Sequence, residues 1–179
     1  MNLPNTLTLF RFILIPLYLW AFYGVSSEHK VGALLILLLA GLTDILDGYI
    51  ARRTGTVTQT GQLFDPLVDK LMMVAVLFSL IQSNRVSWII AGLLLLRDAS
   101  MIVGATFFYF QGKRAVPKAN RWGKITTVLY YMSICAVILA WPSATVAVWL
   151  LIITLIFSYF AMFVYLTNMQ IIDVRRRVL

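Results

Sequence analysis

Six apolar runs divide this sequence, at residues 11–24, 31–50, 62–81, 86–110, 122–141 and 144–170, and only short polar breaks separate them. A helix needs about 20 apolar residues to cross the hydrocarbon core of a bilayer, and all but the first run reach that length. The breaks run from Ser26 to Lys30, Arg52 to Thr60, Gln82 to Arg85 and Gln111 to Arg121, with the last confined to Trp141-Pro142-Ser143, where proline favours a turn. None is long enough for a separate soluble domain. Of the 179 residues 61% are hydrophobic and 12% charged, about half the charge of an ordinary soluble domain. Such a chain cannot cover itself with polar surface, so lipid must be its solvent. The pattern predicts an all-α integral membrane protein with six transmembrane helices. It forms a single domain over residues 1–179, with no repeat or linker.

The first run is short and contains Pro16. The stretch before it, Asn2 to Arg11, is amphipathic, with Asn5 or Thr6 placed to cap a helix. It is expected to lie in the membrane interface before the chain dives. No small-residue cleavage site follows, so the first helix is expected to be retained. Charge sets the orientation. With six spans, eleven basic residues share the side of the termini: Arg11, Arg52, Arg53, Lys113, Arg114, Lys118, Arg121, Lys124 and Arg175 to Arg177. Only Lys30 and Arg85 fall on the other side. This bias predicts a multi-pass protein of the cell membrane with both termini cytoplasmic. The net charge of +8 then reads as a grip on anionic lipid rather than on nucleic acid.

The acids are the exception to this apolar chain. Four of the seven, Asp44, Asp47, Asp65 and Asp69, lie within 26 residues and inside apolar runs. An intramembrane carboxylate is costly and marks a functional site by default. On a helix, Asp47 lies about 60° from Asp44, Gly48 about 40° and Ala51 about 20°. Asp65 and Asp69 are four apart on the next helix, with Gly61 four before Asp65. The short connection makes these two helices antiparallel neighbours whose facing stripes gather four carboxylates beside small residues. Asp44 precedes Arg52 by roughly 12 Å of helix, which puts the cluster near the cytoplasmic rim. Oxygen donors without His or Cys suit a hard cation such as Mg²⁺ or Mn²⁺. Two ions would neutralise four acids and could polarise phosphoryl groups. Two other readings stay open on these residues alone. One is a buried salt-bridge network with Arg52, Arg53, Lys70 and Arg97. The other is a cation or proton pathway.

The run Asp44-x2-Asp47-Gly48-x2-Ala51-Arg52-x8-Gly61-x3-Asp65-x3-Asp69 resembles the signature of the CDP-alcohol phosphatidyltransferases, with all eight fixed residues present. Asn2 to Arg11 is also similar to the family's Asn-x-Pro-Asn-x-(Leu/Ile)-Thr-x-x-Arg segment. The resemblance implies a membrane enzyme, homodimeric as in the family, that displaces CMP from CDP-diacylglycerol by an alcohol with two divalent ions, Mg²⁺ or Mn²⁺. By position, Asp44, Asp47, Asp65 and Asp69 would hold the ions. Asp69 would also serve as catalytic base on the acceptor hydroxyl. Gly48, Ala51, Arg52 and Gly61 would line the CDP-lipid pocket, where glycine admits a pyrophosphate close to the backbone and an arginine fork holds phosphate oxygens.

A second basic group points to the acceptor. Arg97 lies within the fourth run, while Lys118, Arg121 and Lys124 open the fifth on the cytoplasmic side. These four are the candidate acceptor-binding cations. Gly123-Lys124-x-x-Thr127 resembles the element of family members that use glycerol 3-phosphate and of their cardiolipin-forming relatives, which use phosphatidylglycerol. Both groups usually carry glutamine where this chain has Tyr130, and Arg97-Asp98 is more like the cardiolipin-forming enzymes. Glycerol 3-phosphate is the expected acceptor and phosphatidylglycerol the alternative. The single histidine, His29, falls in a short loop, and the single cysteine, Cys135, excludes a disulfide framework. Trp20, Trp88, Trp122, Trp141 and Trp149 sit near run ends, as interface belts do.

Overall fold

The computed structural model describes residues 3–24, 27–54, 59–110 and 121–177, and every regular element among them is a helix. The helices are α1 (Leu3–Phe22), α2 (Ser27–Thr54), α3 (Gln59–Gln82), α4 (Trp88–Phe110), α5 (Arg121–Leu139) and α6 (Ala144–Arg177). Each matches one apolar run. Several extend beyond it, because charged residues such as Arg52 and Arg53 propagate a helix well. One expectation for the N-terminus changes. α1 begins at Leu3, before Asn5 and Thr6, so neither is its cap. The amphipathic stretch and the first apolar run form one helix that continues through Pro16.

The chain forms two compact units, Met1–Asn84 with α1 to α3 and Arg85–Leu179 with α4 to α6. In the first, α1 packs on both α2 and α3. Its buried positions Thr8, Arg11, Leu14, Tyr18 and Ala21 recur every three or four residues, as one helical face requires, and Phe22 is buried beside the last. α2 meets it with Ala33, Leu37 and Ala40, while Val68, Met72, Val76 and Leu80 supply the face of α3. Small residues bring α1 and α2 close: a methyl built on Gly32 would lie 4.0 Å from the Ala21 Cβ. Tyr18 and Ser79 share a buried hydroxyl bond of 3.0 Å between α1 and α3. The sequence had suggested α2 against α3. Among the described residues, both pack chiefly on α1 instead.

In the second unit α6 packs on α5 and α4. Ser133 and Thr154 meet across α5 and α6 at 2.7 Å, and Tyr159 of α6 donates to the Leu93 carbonyl of α4 at 2.9 Å. Ser87 and Ser143 cap α4 and α6 by accepting from the N–H groups of Ile90 (3.4 Å) and Val146 (3.3 Å). α5 ends with Ala140 at φ 53°, the N–H of Ala140 reaching the Val137 carbonyl and that of Trp141 the Ala136 carbonyl. That pair is the Schellman motif, with alanine where glycine is usual. The Arg85 guanidinium donates to the Val137 and Ile138 carbonyls and covers the same helix end.

One helix among the described residues is long and apolar enough by itself to cross a membrane, over Ala144–Tyr165 (mean hydropathy 2.4). The apolar parts of α1 and α5, Thr6–Phe22 and Ile125–Leu139, are shorter. Acids and bases interrupt the others: Asp44 and Asp47 in α2, Asp65, Asp69 and Lys70 in α3, Arg97 and Asp98 in α4. Of these, Asp44, Asp47 and Asp69 converge in the first unit.

Candidate active site

The site is built on one turn of α2, the first half of α3 and the middle of α1. Asp44 and Asp47 are a turn apart on α2, and Asp69 lies on α3. Between them stands the guanidinium of Arg11, whose side chain is only 1% exposed. Its Nη1 pairs with Asp44 Oδ1 at 3.1 Å and also donates to Asp69 Oδ1. Its Nη2 donates to Asp47 Oδ2. Arg11 Nε is buried without a hydrogen-bond partner. Asp47 forms the floor at 4% exposure. Asp44 and Asp69 are 44% and 39% exposed and line the opening. One guanidinium against three carboxylates leaves the group with a formal surplus of two negative charges.

Arg11 is the residue that sequence reasoning missed. It had been assigned to the cytoplasmic charge bias, and the salt-bridge reading named Arg52, Arg53, Lys70 and Arg97 in its place. The signal was its helical phase. Arg11 lies three residues before Leu14 and seven before Tyr18, on the face that α1 buries.

Of the other expected residues, the side chains of Gly48, Ala51, Arg52, Gly61 and Asp65 lie outside the described residues, although α2 and α3 carry their backbone. Lys118 lies wholly outside them, as do the side chains of Arg121 and Lys124. Arg97, in the second unit, donates to Asp98 Oδ1 at 2.8 Å, both side chains being largely buried. Among the described residues no group of three or more His, Cys, Asp or Glu side chains forms a ready metal cage. The donor chemistry nonetheless suits a hard divalent ion. Three carboxylates from two helices converge on one positive charge, two are half exposed, and the group stays net negative.

A family model described as CDP-alcohol phosphatidyltransferase matches residues 1–160. The chain belongs to this family. It is an enzyme that transfers phosphatidyl groups. Among its curated relatives, the CDP-diacylglycerol–glycerol-3-phosphate 3-phosphatidyltransferase of Haemophilus influenzae is 32% identical over 166 residues, covering 84% of this chain and 90% of the relative. The protein of the same name from Rickettsia felis is 40% identical over 139 residues, 77% of this chain and 75% of the relative. That of Bacillus subtilis is 32% identical over 170 residues, with 83% and 86% covered. The family match spans the whole aspartate signature and the α1 segment that carries Arg11.

Proposed function

We propose that this phosphatidyltransferase moves the phosphatidyl group of CDP-diacylglycerol to glycerol 3-phosphate, releasing CMP and forming phosphatidylglycerophosphate. The observation that carries the reading is the convergence of three signature aspartates on one cation, in a chain whose relatives are named for that reaction. Asp44, Asp47, Asp65 and Asp69 hold the divalent ions, two of Mg²⁺ or Mn²⁺ per site. Bound ions supply charge neutralisation for the diphosphate and for the leaving CMP. The chain's own groups do the rest. Gly48, Ala51, Arg52 and Gly61 seat the CDP moiety, and Arg97, Lys118, Arg121 and Lys124 hold the acceptor phosphate. Half-exposed Asp69 takes the proton of the acceptor hydroxyl. The acceptor oxygen bonds to the phosphatidyl phosphorus, and the phosphorus–oxygen bond to CMP breaks, the electron pair leaving with CMP.

The same reading places all six helices across the cell membrane as one domain, with both termini and the active site cytoplasmic. Large apolar side chains exposed around both units, among them Trp20, Ile45, Trp88, Val103, Trp141 and Phe163, support lipid as their surroundings. The decisive assay presents purified protein with CDP-diacylglycerol and a panel of alcohols and measures CMP. Release driven by glycerol 3-phosphate is expected. Release driven only by phosphatidylglycerol would assign a cardiolipin synthase instead. Cation or proton flux without CMP release would assign a transporter.

A further inference from the structure

We propose that Arg11 is the resident counter-cation of the aspartate site, which a divalent ion displaces from the carboxylates when it binds; this rests on the metal-dependent reading above. One guanidinium engages one oxygen of each of three carboxylates, Oδ1 of Asp44, Oδ2 of Asp47 and Oδ1 of Asp69. Its Nη1 serves two of them, while its Nε stays buried without a partner. A buried arginine held for structure alone would be expected to use its donors fully, because an unsatisfied buried N–H is costly. Here the fork sits where the negative charge is greatest, not where its hydrogen bonding is most complete. That is the behaviour of a cation neutralising acids.

The consequence follows from linkage. Without Arg11 and without an ion, three carboxylates, one almost fully buried, lose the one cation that all of them share. With a divalent ion bound, the same acids are neutralised whether or not Arg11 is there. Losing Arg11 therefore harms the ion-free state more than the ion-bound state, and ion binding must tighten in proportion. Other roles give other signs. An arginine that only fastens helices would destabilise both states alike and leave ion affinity unchanged. One that arranges the ligands for the ion would weaken binding when removed.

The experiment compares the full-length wild type with Arg11→Gln and Arg11→Lys in detergent. It measures the Mn²⁺ dissociation constant by magnetic resonance of the free ion, and thermal unfolding in EDTA and in excess Mn²⁺. Arg11→Gln should unfold well below wild type in EDTA and recover most of that gap with Mn²⁺. It should bind Mn²⁺ roughly tenfold or more tightly than wild type, the scale on which residues beside metal ligands act. Arg11→Lys, which keeps the charge but not the fork, should fall between. Should Arg11→Gln not survive in EDTA, it is purified with Mn²⁺, and Arg11→Lys carries the affinity comparison with the same expected sign. Unchanged or weaker Mn²⁺ binding in the variants, beside a wild type that binds, would overturn the proposal alone. A wild type that binds no Mn²⁺ would overturn the metal reading and this inference with it.

Discussion

Asp44, Asp47 and Asp69 contact the same guanidinium, yet their surroundings differ enough to separate their roles. Asparagine at position 44, 47, 65 or 69 should abolish nearly all CMP release, because each change removes a negative oxygen donor from the expected ion site. Normal turnover in any one of the four would refute the shared site. Stability should divide them differently. Asp47 is buried against Arg11, so Asp47→Asn leaves a buried guanidinium short of charge and should lower the unfolding temperature most. Asp44 is half exposed, and Asp44→Asn should unfold close to wild type. Mn²⁺ titration should also show Asp69→Asn retaining more ion affinity than Asp44→Asn, since the former loses the expected base. The acceptor residues call for a different readout. A charge-assisted contact is worth about 1.5–3 kcal/mol. Arg121→Ala or Lys124→Ala should therefore raise the Michaelis constant for glycerol 3-phosphate roughly 10- to 150-fold and change that for CDP-diacylglycerol little. Arg52→Ala should do the reverse. Wild-type dependence on both substrates would make the basic segment a lipid anchor only. Legibility at this scale was uneven. The aspartates declared themselves by lying in apolar runs, where a carboxylate is costly. Arg11 did not, because a cation near the end of an apolar run matches the topology rule as well as it matches a buried counter-charge.

At the scale of elements, the apolar runs located all six helices, and what they could not give were the ends. Run length reports burial in apolar surroundings, while helix ends depend on single hydrogen bonds such as those of Ser87 and Ser143. Nor could periodicity show that α1 is the packing partner of both α2 and α3, since several helices of similar hydropathy offer no unique pairing. The end of α5 provides a quantitative check. Ala140 holds a left-handed conformation that suits glycine. Ala140→Gly should stabilise the protein by about 0.5–1 kcal/mol, the relief of the left-handed penalty less the entropy that glycine brings to the unfolded chain. Arg85→Ala should act oppositely at the same helix end, costing about 1–3 kcal/mol by removing the guanidinium donor from the Ile138 carbonyl and one of two donors from the Val137 carbonyl. Thermal unfolding in one detergent compares the two. Opposite signs are expected, and equal unfolding temperatures would show that this helix end carries no stability.

At the scale of the whole molecule, the charges that fold the protein and those that orient it must be counted apart. Arg11 is committed to the aspartates and Arg85 to a helix end, so neither is a free signal on its side. Setting both aside leaves ten basic residues against Lys30 alone, and the positive-inside bias grows sharper. Charged residues interrupt the apolar runs of the helices that carry the site, while among the described residues Ala144–Tyr165 is long and apolar enough to cross on its own. If every helix crosses, the segments before α2 and α4 and the turn before α6 share the outer side. The two termini, the α2–α3 connection and the α4–α5 connection then share the cytoplasm. Single cysteines at Arg114, Arg176 and Glu28, in a background with Cys135 replaced by alanine, test that count with an impermeant thiol reagent. In sealed right-side-out vesicles only the Glu28 position should label, and in inverted vesicles only the Arg114 and Arg176 positions. Agreement would put the expected acceptor cations on the face where a soluble sugar phosphate arrives, and the half-exposed aspartates of α2 and α3 near it. Labelling of all three from one face would mean an even number of crossings between Glu28 and each of the other two, and the six-span topology would have to be abandoned.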